Sequence, residues 1–516
     1  MYILSKKIQN KHKLDYLKSY VIIKIYKSKH GDILKPLKRQ KFILKLFPEI
    51  MVKGDKAKKD MISQLYQNLQ KMLLSIDESI YIKKFSDKIE VTVPIDVVEK
   101  SKEILLNTPG IDQILEALQF DHIYTMDELK VQVGKIVIPT LEDKTFVVRA
   151  KRTGSHEFNS HDIERVVGGY LKANSKAKGV DLHTPDITVR LELINHQLNI
   201  ITKHYKGLSG FPIGSGGDIL SLMSGGFDST VASYLTIKRG LKTHYIFFNL
   251  GGDAHEIGVK QVALYLWSKF ASSHRVKFIS VPFDEVVAQI FKDTPPSYMG
   301  IMLKRLMLQA SEEIANDMGI DALLTGESVA QVSSQTLRNL ALIDSATTKL
   351  VIRPLATTNK PDIIKTAQEI GTKSFAESMP EYCGVISQNP VTHGSFKRLE
   401  KIKSAFDYSV LKKAVKNAKT IYVDEIVDDI NQKAPIEVIN NPHKDDIIID
   451  IRSEEEILQH TNKVLKIPFY DLKKEFKKLS SDDNYLLYCQ KGIMSQLHAQ
   501  YLKDEGIAPN IKVYRP

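Results

Sequence analysis

Three stretches of the chain carry side chains suited to phosphate or sulfur chemistry. The first is SGGFDS, Ser224 to Ser229, set between the apolar run Ile219 to Met223 and a segment with Val231 and Leu235 at helical spacing. Glycines there let backbone approach an anion, serine hydroxyls donate, and a helix start offers unpaired N–H groups. Ser224, Gly225, Gly226 and Ser229 are thus candidate phosphate ligands. The string lacks the GK[ST] ending of the Walker loop, so simple transfer of a terminal phosphate is not what it predicts. Asp228 beside a polyphosphate would need a cation between them, for which Mg²⁺ is suited. A Gly-Ser turn with no function beyond joining strand to helix stays open for this string by itself.

The second and third stretches hold the two cysteines. Cys489 begins CQKGIMS directly after the apolar run Tyr485 to Tyr488, and a helical pattern follows from Gln496 to Leu502. Backbone N–H groups of such a loop, with Lys491, would hold a sulfur anion. Cys383 lies in MPEYCGVIS between Pro380 and Gly384. Neither has a nearby second cysteine or a spaced histidine pair, which argues against zinc, and no metal-ligand set is expected. Two cysteines in 516 residues exclude a disulfide framework and suit a reducing cytosol. The sharper reading is a thiol pair that meets during catalysis, Cys489 delivering persulfide sulfur and Cys383 closing a transient disulfide on it. A buried small apolar role stays open for a lone cysteine.

Further polar residues fall where such a site needs them. Lys304 in MGIMLKRL would neutralise phosphate charge, and Lys360, after VIRPLATTNK, would stabilise a charged transition state. Gly326 and Gln335, in LLTGESVAQVSSQT, would supply a nucleotide-binding turn and an amide contact. A surface charge remains the plain alternative for either lysine.

The elements that position these residues read as several domains, since 516 residues exceed a single core. Lys41 to Pro48 reads as a strand, Met61, Leu65, Leu69 and Met72 as a helix face, and Tyr81 to Val93 as two strands about Ser86-Asp87. The segment TFVVRAKR alternates, with Val147, Arg149 and Lys151 on one face. Arg149, Lys151 and Arg152 are therefore candidate RNA contacts, a solvated edge being the alternative. From Gly207 to Pro390, apolar runs alternate with helical patterns, as in a parallel α/β sheet, and IIIDI at Ile447 to Ile451 opens a second one.

The formal charge is +12, but residues 1–40 hold eleven Lys or Arg against two Asp, which leaves only about +3 for the body. Any RNA footprint in the body must come from local clusters. No window supplies the roughly 18 uninterrupted apolar residues of a membrane span, and the basic start lacks a cleavage pattern and reads as a solvated tail.

SGGFDS resembles the pyrophosphate loop of ATP-pyrophosphatases, which activate a carbonyl by adenylation. Taken with PEYCGVIS, CQKGIMS, KLFPEI, RAKRTGSHEF, FNLGGDAHEIGV and the final KVYRP, the chain from Lys41 to Pro516 resembles the ThiI family of tRNA 4-thiouridine sulfurtransferases in its long form. After a basic extension (1–40), the resemblance implies a ferredoxin-like N-terminal domain (41–99), a THUMP domain (100–204), a parallel-sheet adenylating PP-loop domain (205–400), a linker helix (401–440) and a rhodanese-like α/β domain (441–516). It maps ATP contacts onto Leu222, Met223, Lys304, Gly326 and Gln335, catalysis onto Asp228 and Lys360, the persulfide carrier onto Cys489 and its disulfide partner onto Cys383. Uridine 8 of tRNA would be adenylated with ATP and Mg²⁺, then attacked by sulfur supplied through a cysteine desulfurase. The family also feeds sulfur to a carrier protein of thiamine synthesis. A cytoplasmic location is expected; the oligomeric state is not legible, a homodimer being one option. Residues 1–40 fall outside the family pattern, Gln496 stands where arginine is usual, and Gln490 replaces a common acidic residue. Two rivals remain: a catalytically silent tRNA-binding protein, and a sulfur donor serving mainly thiamine synthesis.

Overall fold

Alternating apolar residues put Arg39–Leu46 (β1) into a sheet whose strands run far beyond the N-terminal stretch. The computed structural model describes residues 39–516 except 251, 379–388, 428–435, 453–456, 469–470, 481–482, 490–494, 496–497, 500–501 and 504–505. Cys383, Gln490, Lys491, Gln496 and the basic start to residue 38 lie outside the described residues. The chain divides into two compact units, one formed up to Leu46 with Leu73–Leu106 and Gln113–Lys206, the other by Phe47–Met72, Asn107–Asp112 and Gly207–Pro516.

The first unit is built on eight strands. After β1 come β2 (Tyr81–Lys84), β3 (Lys88–Pro94), β4 (Ile111–Phe120), β5 (Thr145–Thr153), β6 (Gly179–Val180), β7 (Ile187–Ile194) and β8 (Gln197–Lys206), in the order β2-β3-β1-β4-β8-β7-β5-β6. The two N-terminal stretches separated in the sequence at residue 99 thus share one continuous sheet, because β4 lies beside β1. Helices Met126–Val137 and Ser160–Asn174 each start on a capping box, Thr125 with Glu128 and Asn159 with Asp162. Their faces Leu129, Val133 and Val137, and Ile163, Val167 and Leu171, pack with Phe146, Val148, Val189 and Leu191. Buried Lys41 and Lys88 share the Glu90 carboxylate at 2.9 and 2.7 Å, so charges taken out of water are paired.

The second unit holds two further sheets. One comprises β9 (Asp218–Leu222), β10 (Lys242–Asn249), β11 (Lys277–Pro282), β12 (Ala322–Leu324), β13 (Leu350–Ile352) and β14 (Lys419–Tyr422), ordered β13-β12-β9-β10-β11-β14. All its pairings are parallel except β11 with β14. The strand β14 comes from the stretch read as a linker helix: its four residues are too few for a periodic signal, yet they form the strand beyond β11 at one end of the sheet. From β9 the chain passes to β10 on one side while β12 flanks the other, so the carboxyl end of β9 is a topological switch point, where open α/β sheets bind ligands. The last sheet, β15 (Val438–Ile439), β16 (Ile447–Asp450), β17 (Val464–Lys466), β18 (Tyr485–Tyr488) and β19 (Lys512–Tyr514), is parallel in the order β15-β19-β18-β16-β17. Among the described residues no helix is long and apolar enough to cross a membrane.

Candidate active site

The phosphate loop follows β9 at that switch point. Gly225 adopts φ +80°, a conformation glycine reaches without a Cβ penalty, and Gly226 caps the helix Phe227–Lys238 with extended backbone and no side-chain bond. The first-turn N–H groups thus face outward at a positive helix end. Ser229 Oγ accepts from Ser224 N–H at 3.2 Å and lies 3.0 Å from Ser224 Oγ, which closes the loop on itself. Met223 is buried below it, its N–H on Ile246 O at 2.9 Å, and Leu222 is half-buried.

Residues from distant parts of the sequence converge on this loop. Gly326, just after β12, lies so close that a Cβ there would stand 2.5 Å from the Asp228 carbonyl carbon and 2.6 Å from Ser229 N. Lys360, at the start of the helix Lys360–Ile370, donates to Asp228 Oδ1 at 2.7 Å, and Gln331 Nε2 donates to Oδ2 at 2.9 Å. Gln335 is buried, and among the described residues its Oε1 has no hydrogen-bond partner. A buried amide oxygen left unsatisfied is costly unless a ligand donates to it. These features fit a nucleotide: a cradle with no room for a side chain, two serines, a helix start, and an acceptor awaiting a donor.

Lys304 from the helix Met299–Asp317 does not stand alone. Its ammonium donates to Glu327 Oε1 at 2.7 Å, while Arg353 Nε and Thr325 Oγ1 donate to Oε2 at 2.8 and 3.0 Å. Arg353 in turn forks onto Asp344 at 3.0 and 2.5 Å. Burial opposes ionisation of Glu327, but the two cations prevail and hold its carboxyl below the ordinary range. Glu327, Arg353, Asp344 and Gln331 were not singled out by the sequence reading. The TGES string contained the signal for Glu327, an acid next to a nucleotide-turn glycine; the others are visible only once β12 and β13 are aligned.

Cys489 directly follows β18 and is buried, its Sγ receiving the Ser495 N–H at 3.3 Å and lying 3.4 Å from Ser495 Oγ. Ser495 thus stands against the cysteine six positions before it. Opposite the preceding residue, Tyr488, stands Asp450, fully buried and bonded by Arg452 Nε at 2.9 Å, Arg452 Nη2 at 2.8 Å and Leu458 N–H at 3.0 Å. Despite burial, the Arg452 pair keeps the Asp450 carboxyl below its usual range.

In the first unit, Arg149 and Lys151 are exposed on one face of β5, and alternation turns Arg152 to the other. Arg149 donates to Leu182 O at 3.2 Å, and Arg152 to Gly154 O at 2.7 Å, with His156 Nδ1 at 3.2 Å. The three cations share a strand but not a face.

Comparison with known proteins agrees with this architecture. Family models match at residues 214–408 (ThiI, thiamine biosynthesis protein), 124–203 (THUMP domain) and 434–515 (rhodanese-like domain). A tRNA sulfurtransferase of Tolumonas auensis is 45% identical over 489 residues, covering 92% of this chain and 99% of that protein. One from Shewanella halifaxensis is 46% identical over 485 residues, covering 92% and 100%. A crystal structure of a 4-thiouridine synthetase–RNA complex with bound ATP superposes with a TM-score of 0.66 at 27% identity, covering 75% of this chain and all of that one. With near-complete coverage of relatives at this identity, the chain belongs to the tRNA sulfurtransferase family.

Proposed function

We propose that this chain catalyses ATP-dependent transfer of sulfur from a persulfide on Cys489 to uridine 8 of tRNA, giving 4-thiouridine. The observation that carries the reading is the Asp228–Lys360 pair at the mouth of a glycine-serine loop on a switch point, 2.7 Å apart. ATP bound there supplies an adenylyl group that converts the uridine O4 into a leaving group. Ser224, Ser229 and the helix start bind the polyphosphate, with Lys304 and Lys360 balancing its charge. Mg²⁺ would be held by Asp228 with the phosphates, since a single carboxylate cannot supply the several oxygens the ion takes. Gln335 donates or accepts at the base or ribose.

The terminal persulfide sulfur attacks C4 and AMP leaves with the electron pair of the C4–O bond. The Cys383 thiolate then attacks Cys489 Sγ, the S–S bond to the transferred sulfur breaks, and the thiouridine departs as the two cysteines become a disulfide. A reductant must restore them before the next cycle. Ser495 N–H orients the Cys489 sulfur in its loop. Sulfur arrives through a pyridoxal-phosphate cysteine desulfurase, and residues 100–204 grip the tRNA with the exposed Arg149 and Lys151. Residues 205–400 adenylate and 441–516 carry sulfur, in the cytoplasm. A second role, sulfur supply to a carrier protein of thiamine synthesis, is favoured by the description of the matching family model.

The test is nucleoside mass spectrometry of unmodified tRNA incubated with the protein, ATP, Mg²⁺, cysteine and a cysteine desulfurase. 4-Thiouridine formed only with ATP supports the reading. Bound tRNA with no thiouridine would remove the RNA as the acceptor.

A further inference from the structure

Glu327 is nine-tenths buried and spends both carboxylate oxygens on the protein: Lys304 on one, Arg353 and Thr325 on the other. It directly follows Gly326, where even a Cβ would collide with the backbone of Asp228 and Ser229. Three separate elements are tied through this one carboxylate: the helix of Lys304, the turn after β12, and the segment after β13. Asp344 anchors the far end through Arg353, so the sequence Lys304–Glu327–Arg353–Asp344 alternates in charge and sums to zero.

Such an arrangement has two opposed effects on a polyphosphate. A carboxylate beside the phosphate loop repels the anion and partly cancels Lys304. The same carboxylate fixes the ammonium, which on its flexible stem would otherwise sample many rotamers. A cation fixed before the reaction costs no reorganisation when charge develops on the departing pyrophosphate.

We propose that Glu327 is a positioning residue for adenylation, which holds Lys304 in its reactive place against the polyphosphate of a nucleoside triphosphate and sacrifices ground-state affinity to do so. The inference rests on the adenylating function above. Its signature is a split: removing the charge should leave nucleotide binding intact or tighter and slow the chemical step. A residue that only holds the fold together would weaken both.

The experiment uses the full chain with unmodified tRNA, ATP and Mg²⁺, and measures pyrophosphate release at varied ATP for wild type, Glu327→Gln, Lys304→Ala and the double variant. ATP binding without tRNA is measured by calorimetry alongside. For Glu327→Gln we expect kcat roughly tenfold or more below wild type, with the ATP dissociation constant unchanged or lower. The double variant should match Lys304→Ala within about twofold, because Glu327 acts through Lys304. Weaker ATP binding by Glu327→Gln, or a loss that multiplies with that of Lys304→Ala, would overturn the proposal. Should Glu327→Gln fail to fold, Asp344→Asn loosens Arg353 from the exposed end and is expected to show the same split at about two- to threefold; wild-type kinetics there would overturn it equally. A wild type that binds ATP yet releases no pyrophosphate with tRNA refutes the adenylating function instead, while the binding comparison still decides the electrostatic half of the proposal.

Discussion

Replacing Gly326 by alanine isolates one contact of the site. Its φ is not among the positive values that favour glycine, so alanine brings no backbone penalty and only the added methyl group matters. That carbon would stand 2.5 Å from the Asp228 carbonyl carbon and 2.6 Å from both Asp228 O and Ser229 N, whereas ordinary contact begins at 3.4 Å. All three are backbone atoms at the start of a helix, so no rotamer change relieves the overlap. The turn after β12 and the phosphate loop must move apart by about 0.9 Å. Overpacking of this kind costs roughly 1–3 kcal/mol of stability. An ångström of misplacement in a reacting constellation can cost about a hundredfold in rate. We therefore expect Gly326→Ala to fold with a modestly lower melting temperature and to release pyrophosphate roughly a hundredfold more slowly. Stopped assays of pyrophosphate with parallel thermal melts check both. Turnover within twofold of wild type would show that the turn does not set the position of the phosphate loop.

Cys489→Ser is expected to abolish thiolation from a persulfide donor and to leave tRNA binding unchanged in a filter assay; full activity in that variant would sink the carrier assignment. Lys360→Met should cut adenylation by at least about tenfold through loss of a cation at the reacting phosphate, and should leave Asp228 its hydrogen bond from Gln331. A pyrophosphate assay reads the first. Burial lowers the His498 pKa to about 4 from 6.5, so the folded chain binds this proton less readily than the unfolded one. The stability tied to a neutral His498 is complete above pH 6.5 and declines as the pH falls toward 4, by about 3 kcal/mol in all. His498→Phe, beside Phe375 at a ring distance of 6.2 Å, should flatten melting temperature against pH in that window. Glu327 has the usual carboxylate sign, its contribution being present above about pH 4.3 and lost below it as the proton displaces Lys304 and Arg353.

The phosphate loop was legible in the sequence because it is local: strand, glycines and helix start are contiguous, and β9 to β12 are apolar runs with clear ends. The Asp228–Lys360 pair was legible only as two candidates, since 132 residues separate them and only the sheet order brings them to 2.7 Å. Glu327 was passed over because an acid is not what a phosphate site suggests, until its partners are seen to be two cations. The short strands β13 and β14 carry too few residues for period-two alternation, so β13 was not singled out and β14 fell inside the stretch read as a linker helix. The basic trio of β5 was grouped by adjacency, while the pleat separates Arg152 from Arg149 and Lys151.

The edge strand β14 has a consequence for how the enzyme comes into being. Its residues Lys419–Tyr422 pair with Lys277–Ser280 of β11, bridging about 140 positions of chain. Until synthesis passes Tyr422, β11 presents an open row of backbone donors and acceptors, a template for pairing with another nascent copy. A fragment ended at residue 408, where the match to the family model stops, would keep that edge permanently bare. A shortened chain meant to hold the adenylating part alone should therefore run through β14, and β11 is covered only once about four-fifths of the protein has been made.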